Sequence, residues 1–159
     1  MSVNITIYTD GSALGNPGRG GYGIVLMSGP HRKELSQGYE HTTNNRMELL
    51  AVIVALESLK IEKSNVTIYT DSSYVVNSIE KGWVFGWQKK GFAGKKNEDL
   101  WRRFLKIYPH HTVKMVWVKG HASIPENERC DILARTAADS QNLLVDKGYV
   151  EDSSMTGMF

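Results

Sequence analysis

The tetrapeptide Ile7-Tyr8-Thr9-Asp10 returns unchanged as Ile68-Tyr69-Thr70-Asp71, and this echo constrains the fold more than any other feature of the chain. Around the first copy, Val3, Ile5, Ile7 and Thr9 alternate with Asn4, Thr6, Tyr8 and Asp10, the two-residue period of a strand. The second copy closes a similar run over residues 65–70. Both segments end on an aspartate and pass at once to Gly or Ser, and strand ends are where open α/β sheets place ligand chemistry. An aspartate after a strand ordinarily starts a turn or caps a helix. Two such strands lying side by side would instead set both carboxylates at one sheet edge. At an effective dielectric near 20, carboxylates about 5 Å apart repel by roughly 3 kcal/mol. A fold that keeps them together therefore calls for a cation or a shared proton.

The rest of the chain supplies a sheet for these strands to join. Glycine-rich punctuation after Asp10 leads to a second strand over 20–27, a turn at Ser28-Gly29-Pro30 and a third strand over 33–41. A helix follows from Thr42-Thr43-Asn44-Asn45 to about Lys60, its apolar Leu49, Val52, Ile53, Leu56 and Leu59 at helical spacing. Further helices are expected over 72–81, from Lys96-Asn97-Glu98 to Tyr108 before Pro109, and over 125–139; a fifth strand is expected over 113–118. A meander followed by αβα repeats predicts an α/β fold, a mixed sheet with helices packed on it. The 159 residues suffice for one domain with a full core. That domain is expected to span 1–142, with 143–159 as a mobile tail that carries no motif. No apolar run approaches the roughly 20 residues of a membrane span. The N-terminus lacks a signal-peptide pattern, and the single Cys130 excludes an internal disulfide. The expected compartment is the cytoplasm.

Several residues carry both a structural and a chemical reading. Glu48, three residues after Asn45, fits a capping box in the first helical turn, yet a carboxylate there can also project past the helix end to a metal. Asp131 sits between Cys130 and Ile132, so partial burial is expected, and a buried acid needs a partner. His121 is a loop histidine after the fifth strand; over a carboxylate site it could move a proton near neutral pH. Residues 18–23 match G-x-G-x-x-G, but a strand rather than a helix follows, so a dinucleotide site is rejected and the glycines are expected to serve a tight hairpin. The histidines and the lone cysteine are scattered, which argues against zinc.

Net charge is only +2, but residues 81–103 carry seven basic side chains against Glu98 and Asp99. Trp83, Phe85, Trp87, Phe92 and Trp101 are interleaved with them. Trp101 reads as core. Trp83 and Trp87 beside Gln88-Lys89-Lys90-Gly91 read as a protruding basic and aromatic element, which suits the backbone of a nucleic acid.

Taken together, Tyr8-Thr9-Asp10-Gly11-Ser12, Gly15-Asn16-Pro17-Gly18, Thr43-Asn44-Asn45-Arg46-Met47-Glu48-Leu49, Thr70-Asp71-Ser72, Trp117-Val118-Lys119-Gly120-His121 and Glu126-Asn127-Glu128-Arg129-Cys130-Asp131 resemble the motifs of bacterial type 1 ribonuclease H, in the family's order. The resemblance implies a ribonuclease H-like fold, a five-stranded mixed β-sheet flanked by α-helices. It implies that Asp10, Glu48, Asp71 and Asp131 are metal ligands and that His121 assists proton movement or product departure. Asn16, Asn44 and Asn45 match positions that contact the RNA strand in the minor groove, and Thr43 one that holds a DNA phosphate. Trp83, Trp87, Lys89 and Lys90 match the basic protrusion of about 81–96. The protrusion is shorter here, Ser73 replaces a longer amide side chain, and Ile124 replaces a second loop histidine.

The activity so implied is hydrolysis of the RNA strand of RNA–DNA hybrids by a monomeric endonuclease. An all-oxygen ligand set suits Mg²⁺, or Mn²⁺, far better than Zn²⁺. The mechanism implied is a two-ion one, with 5′-phosphate and 3′-hydroxyl products. Recognition of 2′-hydroxyls would select RNA, and the phosphate pocket would select a DNA partner.

Overall fold

The computed structural model describes residues 3–120 and 123–149. Strands β1 (Asn4–Ala13), β2 (Gly18–Ser28) and β3 (His31–Thr42) form an antiparallel meander. Helix α1 (Asn44–Glu57) leads to β4 (Asn65–Thr70), which is followed by α2 (Ser73–Glu80), α3 (Trp83–Lys89) and α4 (Glu98–Ile107). Strand β5 (Thr112–Trp117), α5 (Pro125–Ala138) and a two-residue β6 (Leu143–Leu144) complete the order. The strands lie β5-β4-β1-β2-β3-β6.

The expected α/β class and mixed sheet are present, with six strands rather than five. β6 pairs parallel with β3 at Gly38 and Tyr39, so the segment read as the start of a tail belongs to the sheet. Asp146 then docks on Thr42 and Arg46. The structure thus places 143–149 with the domain, and residues 150–159 lie outside the described set. The apolar Leu143-Leu144 pair and one acid hold the segment, signals too short for periodicity to register.

β1 pairs parallel with β4, Ile7 beside Ile68 and Tyr8 beside Tyr69, and the two tyrosine rings stack at 4.9 Å. The repeated tetrapeptides therefore run side by side in register. Ile5, Ile7, Val66 and Ile68 form the floor of the core, covered by Leu49, Val52, Ile53 and Leu56 of α1 and by Trp101 and Phe104 of α4. Each such buried aliphatic chain contributes about 1.5–3 kcal/mol.

Helix α5 packs on the opposite face, where a Cβ on Gly21, Gly23 or Gly38 would strike the backbone oxygens of Ala134, Cys130 and Ala137 at 2.6, 2.2 and 2.1 Å. The expected hairpin role thus falls to Gly15 and Gly18, whereas Gly21 and Gly23 let a helix lie directly on the sheet. Edge strand β5 is partly closed by Glu80 of α2, whose Oε1 accepts from the Met115 N–H at 3.2 Å.

Candidate active site

The site forms where β4 ends at Thr70 while β1 runs on to Ala13, opening a cleft between neighbouring parallel strands. The cleft has a volume of about 410 Å³, within the range of ligand sites. Asp10, Glu48 and Asp71 each present an oxygen within 4.8 Å of the others; Asp10 and Glu48 are buried. Asp131, from the second turn of α5, lines the same cleft with Asn44 and Asn45.

The residues around each acid explain its placement. Gly11 lies under α1, where a Cβ would come within 2.3 Å of the Glu48 nitrogen. The helix can therefore approach the strand, and Glu48 Oε1 accepts the Gly11 N–H while Oε2 accepts the Thr70 hydroxyl at 3.3 Å. Glu48 is consequently no part of a capping box. Thr43 is the N-cap, its hydroxyl accepting from the Arg46 N–H at 3.3 Å, and Glu48 turns inward to the sheet. Asp71 follows β4 directly, and its backbone oxygen accepts from the Trp117 indole at 3.0 Å. Asp131 is partly buried, as expected, with an i,i+4 ion pair from Arg135 Nη2 to its Oδ2 at 2.9 Å.

Burial pushes the Asp10 carboxyl up to about 6; its bond with Glu48 opposes the rise, and the charges of Asp71 and Asp131 add to it. Glu48 is held well above the ordinary carboxyl range by burial first, then by its hydrogen bond to Asp10 and the neighbouring negative charges. Among the described residues no lysine or arginine lines the cleft. Such a set either retains a proton or accepts a cation. Three oxygens within a few ångströms, offered by carboxylates with no sulfur or imidazole among them, fit a hard divalent ion.

Three expected substrate contacts cluster beside this cleft. Asn44 Oδ1 accepts from the Ala13 N–H at 2.6 Å, and Asn16 Oδ1 accepts from the Asn44 N–H at 3.2 Å, tying the β1–β2 turn to the start of α1. Asn45 is exposed at the rim. Thr43 stands one residue before Asn44, at the helix cap. Trp83, Trp87 and Lys89 on α3, with Lys90 at its C-cap, lie apart from the cleft. Trp83 is 46 % exposed with Lys81 Nζ 5.4 Å from its ring centre. Trp87 is half-buried, edge-on to Trp101 at 5.9 Å, so it anchors the element as well as facing outward. Lys89 and Lys90 are exposed. His121 lies outside the described residues.

Sequence reading gave no role to Arg46, Asp99, Asp146 or Asn127. Arg46 is 2 % exposed and sits at the core-facing spacing of Leu49, Leu50 and Ile53, a pattern that a charged residue seldom occupies without a partner. Its partners are 53 and 100 residues away in the chain, beyond the reach of local pattern.

The RNase H family model matches residues 2–139. A ribonuclease H of Desulforamulus reducens is 60% identical over 147 residues, covering 89% of this chain and 92% of that protein. One of Syntrophus aciditrophicus is 54% identical over 150 residues, 91% and 86% of the two chains. Among solved structures, LC9-RNase H1, described as a type 1 RNase H with the type 2 active-site motif, superposes with a TM-score of 0.81 at 30% identity, over 99% of this chain and 81% of that one. LC11-RNase H1 in complex with an RNA/DNA hybrid superposes with a TM-score of 0.59 at 26% identity, over 85% and 96%. With its repeated Ile-Tyr-Thr-Asp segments side by side and α1 carrying the third acid against them, the chain belongs to the RNase H family.

Proposed function

We propose that this protein is an endonuclease that hydrolyses the RNA strand of RNA–DNA hybrids with two divalent ions, Mg²⁺ or Mn²⁺, leaving 5′-phosphate and 3′-hydroxyl ends. The observation that carries this reading is the trio of carboxylates within 4.8 Å, two of them buried, without a basic side chain among the described residues lining their cleft. Asp10, Glu48 and Asp71 would hold the ions, with Asp131 completing the set from α5. When bound, the ions activate the attacking water and stabilise the leaving oxygen. Glu48 is oriented toward the sheet by the Gly11 N–H and the Thr70 hydroxyl.

Asn16, Asn44 and Asn45 form an amide ledge at the cleft's edge, suited to 2′-hydroxyls and base edges of RNA. The Thr43 end of α1 is proposed to receive a phosphate of the DNA strand, and α3 with Trp83, Lys89 and Lys90 to track the duplex backbone. His121 is proposed to assist proton movement or product departure. The protein is proposed to act as a monomer in the cytoplasm.

The decisive assay is incubation with an end-labelled RNA–DNA hybrid, with single-stranded RNA and duplex DNA as controls, with and without Mg²⁺. Cleavage of the hybrid alone, only with the ion, and with 5′-phosphate ends is expected. Equal cleavage in chelator would refute the ion reading, and equal cleavage of single-stranded RNA would refute the hybrid reading. His121→Ala should slow turnover without abolishing it, and an unchanged rate across pH 6–9 would remove its role.

A further inference from the structure

Asn127 occupies the third position of α5 and is 5 % exposed. Its Oδ1 is fully buried and meets no hydrogen-bond donor among the described residues. A buried carboxamide oxygen in this state costs stability unless something outside the protein supplies the donor. One other buried side-chain oxygen among the described residues is in the same state, that of Thr9, but Thr9 does not line the acidic cleft. Asn127 does, one helical turn before Asp131 on the same face of α5, with Asp10 and Glu48 across the cleft.

The chemistry of the cleft narrows what the donor can be. With a cation bound the carboxylates are ionised and, like phosphate oxygens, have no proton to give. Asn44 and Asn45 are exposed, where a sugar hydroxyl would arrive, whereas Asn127 lines the same cleft and is 5 % exposed. A hard divalent ion held by carboxylates keeps much of its water, and that water is a strong donor.

We propose that Asn127 is a positioning residue whose Oδ1 accepts a hydrogen bond from the hydration shell of the divalent ion held by the neighbouring acids. This role rests on the divalent-ion reading of the cleft. It gives α5 two different tasks four residues apart: Asp131 supplies charge, and Asn127 orients water without adding charge to an already crowded set of acids. Partners of this outer kind typically contribute 10–100-fold to metal affinity.

The test is calorimetric titration of Mg²⁺ into the full chain, stripped with chelator and free of nucleic acid, beside thermal melts in chelator. Asn127→Leu fills the space without an acceptor and should weaken Mg²⁺ binding by about 10-fold. Its melting temperature in chelator should stay level or rise by roughly a few degrees, because the unpartnered oxygen is gone. Asn127→Asp keeps an oxygen in place and should bind Mg²⁺ at least as tightly as the parent. Mg²⁺ affinity of Asn127→Leu equal to the parent's overturns the proposal. So does a fall in melting temperature in chelator without loss of Mg²⁺ affinity, which marks a packing role. If Asn127→Leu does not fold, weaker Mg²⁺ binding by Asn127→Asp overturns it alone. Unchanged Mg²⁺ affinity with weakened hybrid binding in Ca²⁺ reassigns Asn127 to a sugar contact. A parent chain that takes up no Mg²⁺ removes the ion reading itself; a parent that binds while Asn127→Leu binds equally removes only this role.

Discussion

Arg46 and Glu48 lie two residues apart in α1 and are both buried, yet one is surrounded by opposite charge and the other by like charge. Arg46 forks onto two carboxylates, with Nε and Nη2 on Asp146 at 2.7 and 2.9 Å and Nη1 and Nη2 on Asp99 at 2.8 and 2.7 Å. Burial alone would depress the guanidinium's affinity for its proton, but the bonds to Asp99 and Asp146 reverse that and raise it. Glu48 faces Asp10 and Asp71, and burial and repulsion hold it toward the protonated form. In the first cluster a cation of the chain pairs with the acids, whereas the second finds no such cation among the described residues that line it and calls for a proton or a cation from outside. Within one helix turn the protein thus separates a cluster in which opposite charges pair from one in which like charges crowd.

The sharpest way to break this contrast is to remove one charged side chain from each cluster. Asp10→Asn should lower hybrid cleavage by about 10³-fold or more, the worth of several kcal/mol of metal-assisted stabilisation, measured as kcat in Mg²⁺. In chelator the same variant should melt no lower than the parent, since a repelling charge has gone. A lower melting temperature would mean that Asp10 is structural. Arg46→Ala should act the other way. It leaves Asp146 buried and unpaired, which costs about 3–5 kcal/mol, and melting should fall by roughly 6–20 °C whether or not Mg²⁺ is present. An unchanged melting temperature would sink the structural reading of that cluster.

Acid sharpens the comparison further, because the two clusters respond with opposite sign. The folded-state value of Asp10, about 6, lies above its unfolded value, so its contribution is fully present below the unfolded value and is lost as pH rises through 6. Asp99 is the reverse. Burial pushes its carboxyl up, the Arg46 guanidinium more than offsets this, and the net lowering gives stability that is lost as pH falls through the folded value. In chelator, the melting-temperature difference between parent and Asp10→Asn should therefore shift in the parent's favour between pH 7 and pH 4. That between parent and Asp99→Asn should shift against it toward lower pH. Profiles parallel to the parent's in both variants would contradict the assignment.

The smallest effects belong to α3, away from both clusters. Trp83→Ala should weaken hybrid binding in Ca²⁺ by the worth of a stacking contact, about 1–3 kcal/mol. Lys89→Ala should reduce the slope of log affinity against log salt by about one. Neither should move the melting temperature by more than a degree or two, since Trp83 and Lys89 are exposed.

How much of this was legible differs by residue. The alternation around Ile5 and Ile7, the paired Ile-Tyr-Thr-Asp segments and the helical spacing of α1 all express local backbone periods, and the structure bears them out. Trp101 proved to be core, as its surroundings suggested. Glu48 read first as a cap, with a ligand role left open, because both uses place a carboxylate near a helix start. Only the approach of Gly11 beneath α1 decides for the sheet. Asp146 looked like part of a tail because nothing near it in sequence is its partner. The role of Gly21 and Gly23 under α5 was hidden for the same reason.

The chain's order of residues by itself determined most of the elements, the α/β class and the two like strands that carry the Ile-Tyr-Thr-Asp segments, since these follow from side-chain period and turn chemistry within a few residues. It did not determine that β1 runs three residues past Asp10 while β4 stops before Asp71. What only the tertiary structure decided is which charges meet. β1 and β4 are brought into register by pairing across some sixty residues, α1 is drawn onto Gly11, and the last described segment returns to Arg46. Electrostatic roles depend on distance in space and on exclusion of water, and neither is written in sequence separation.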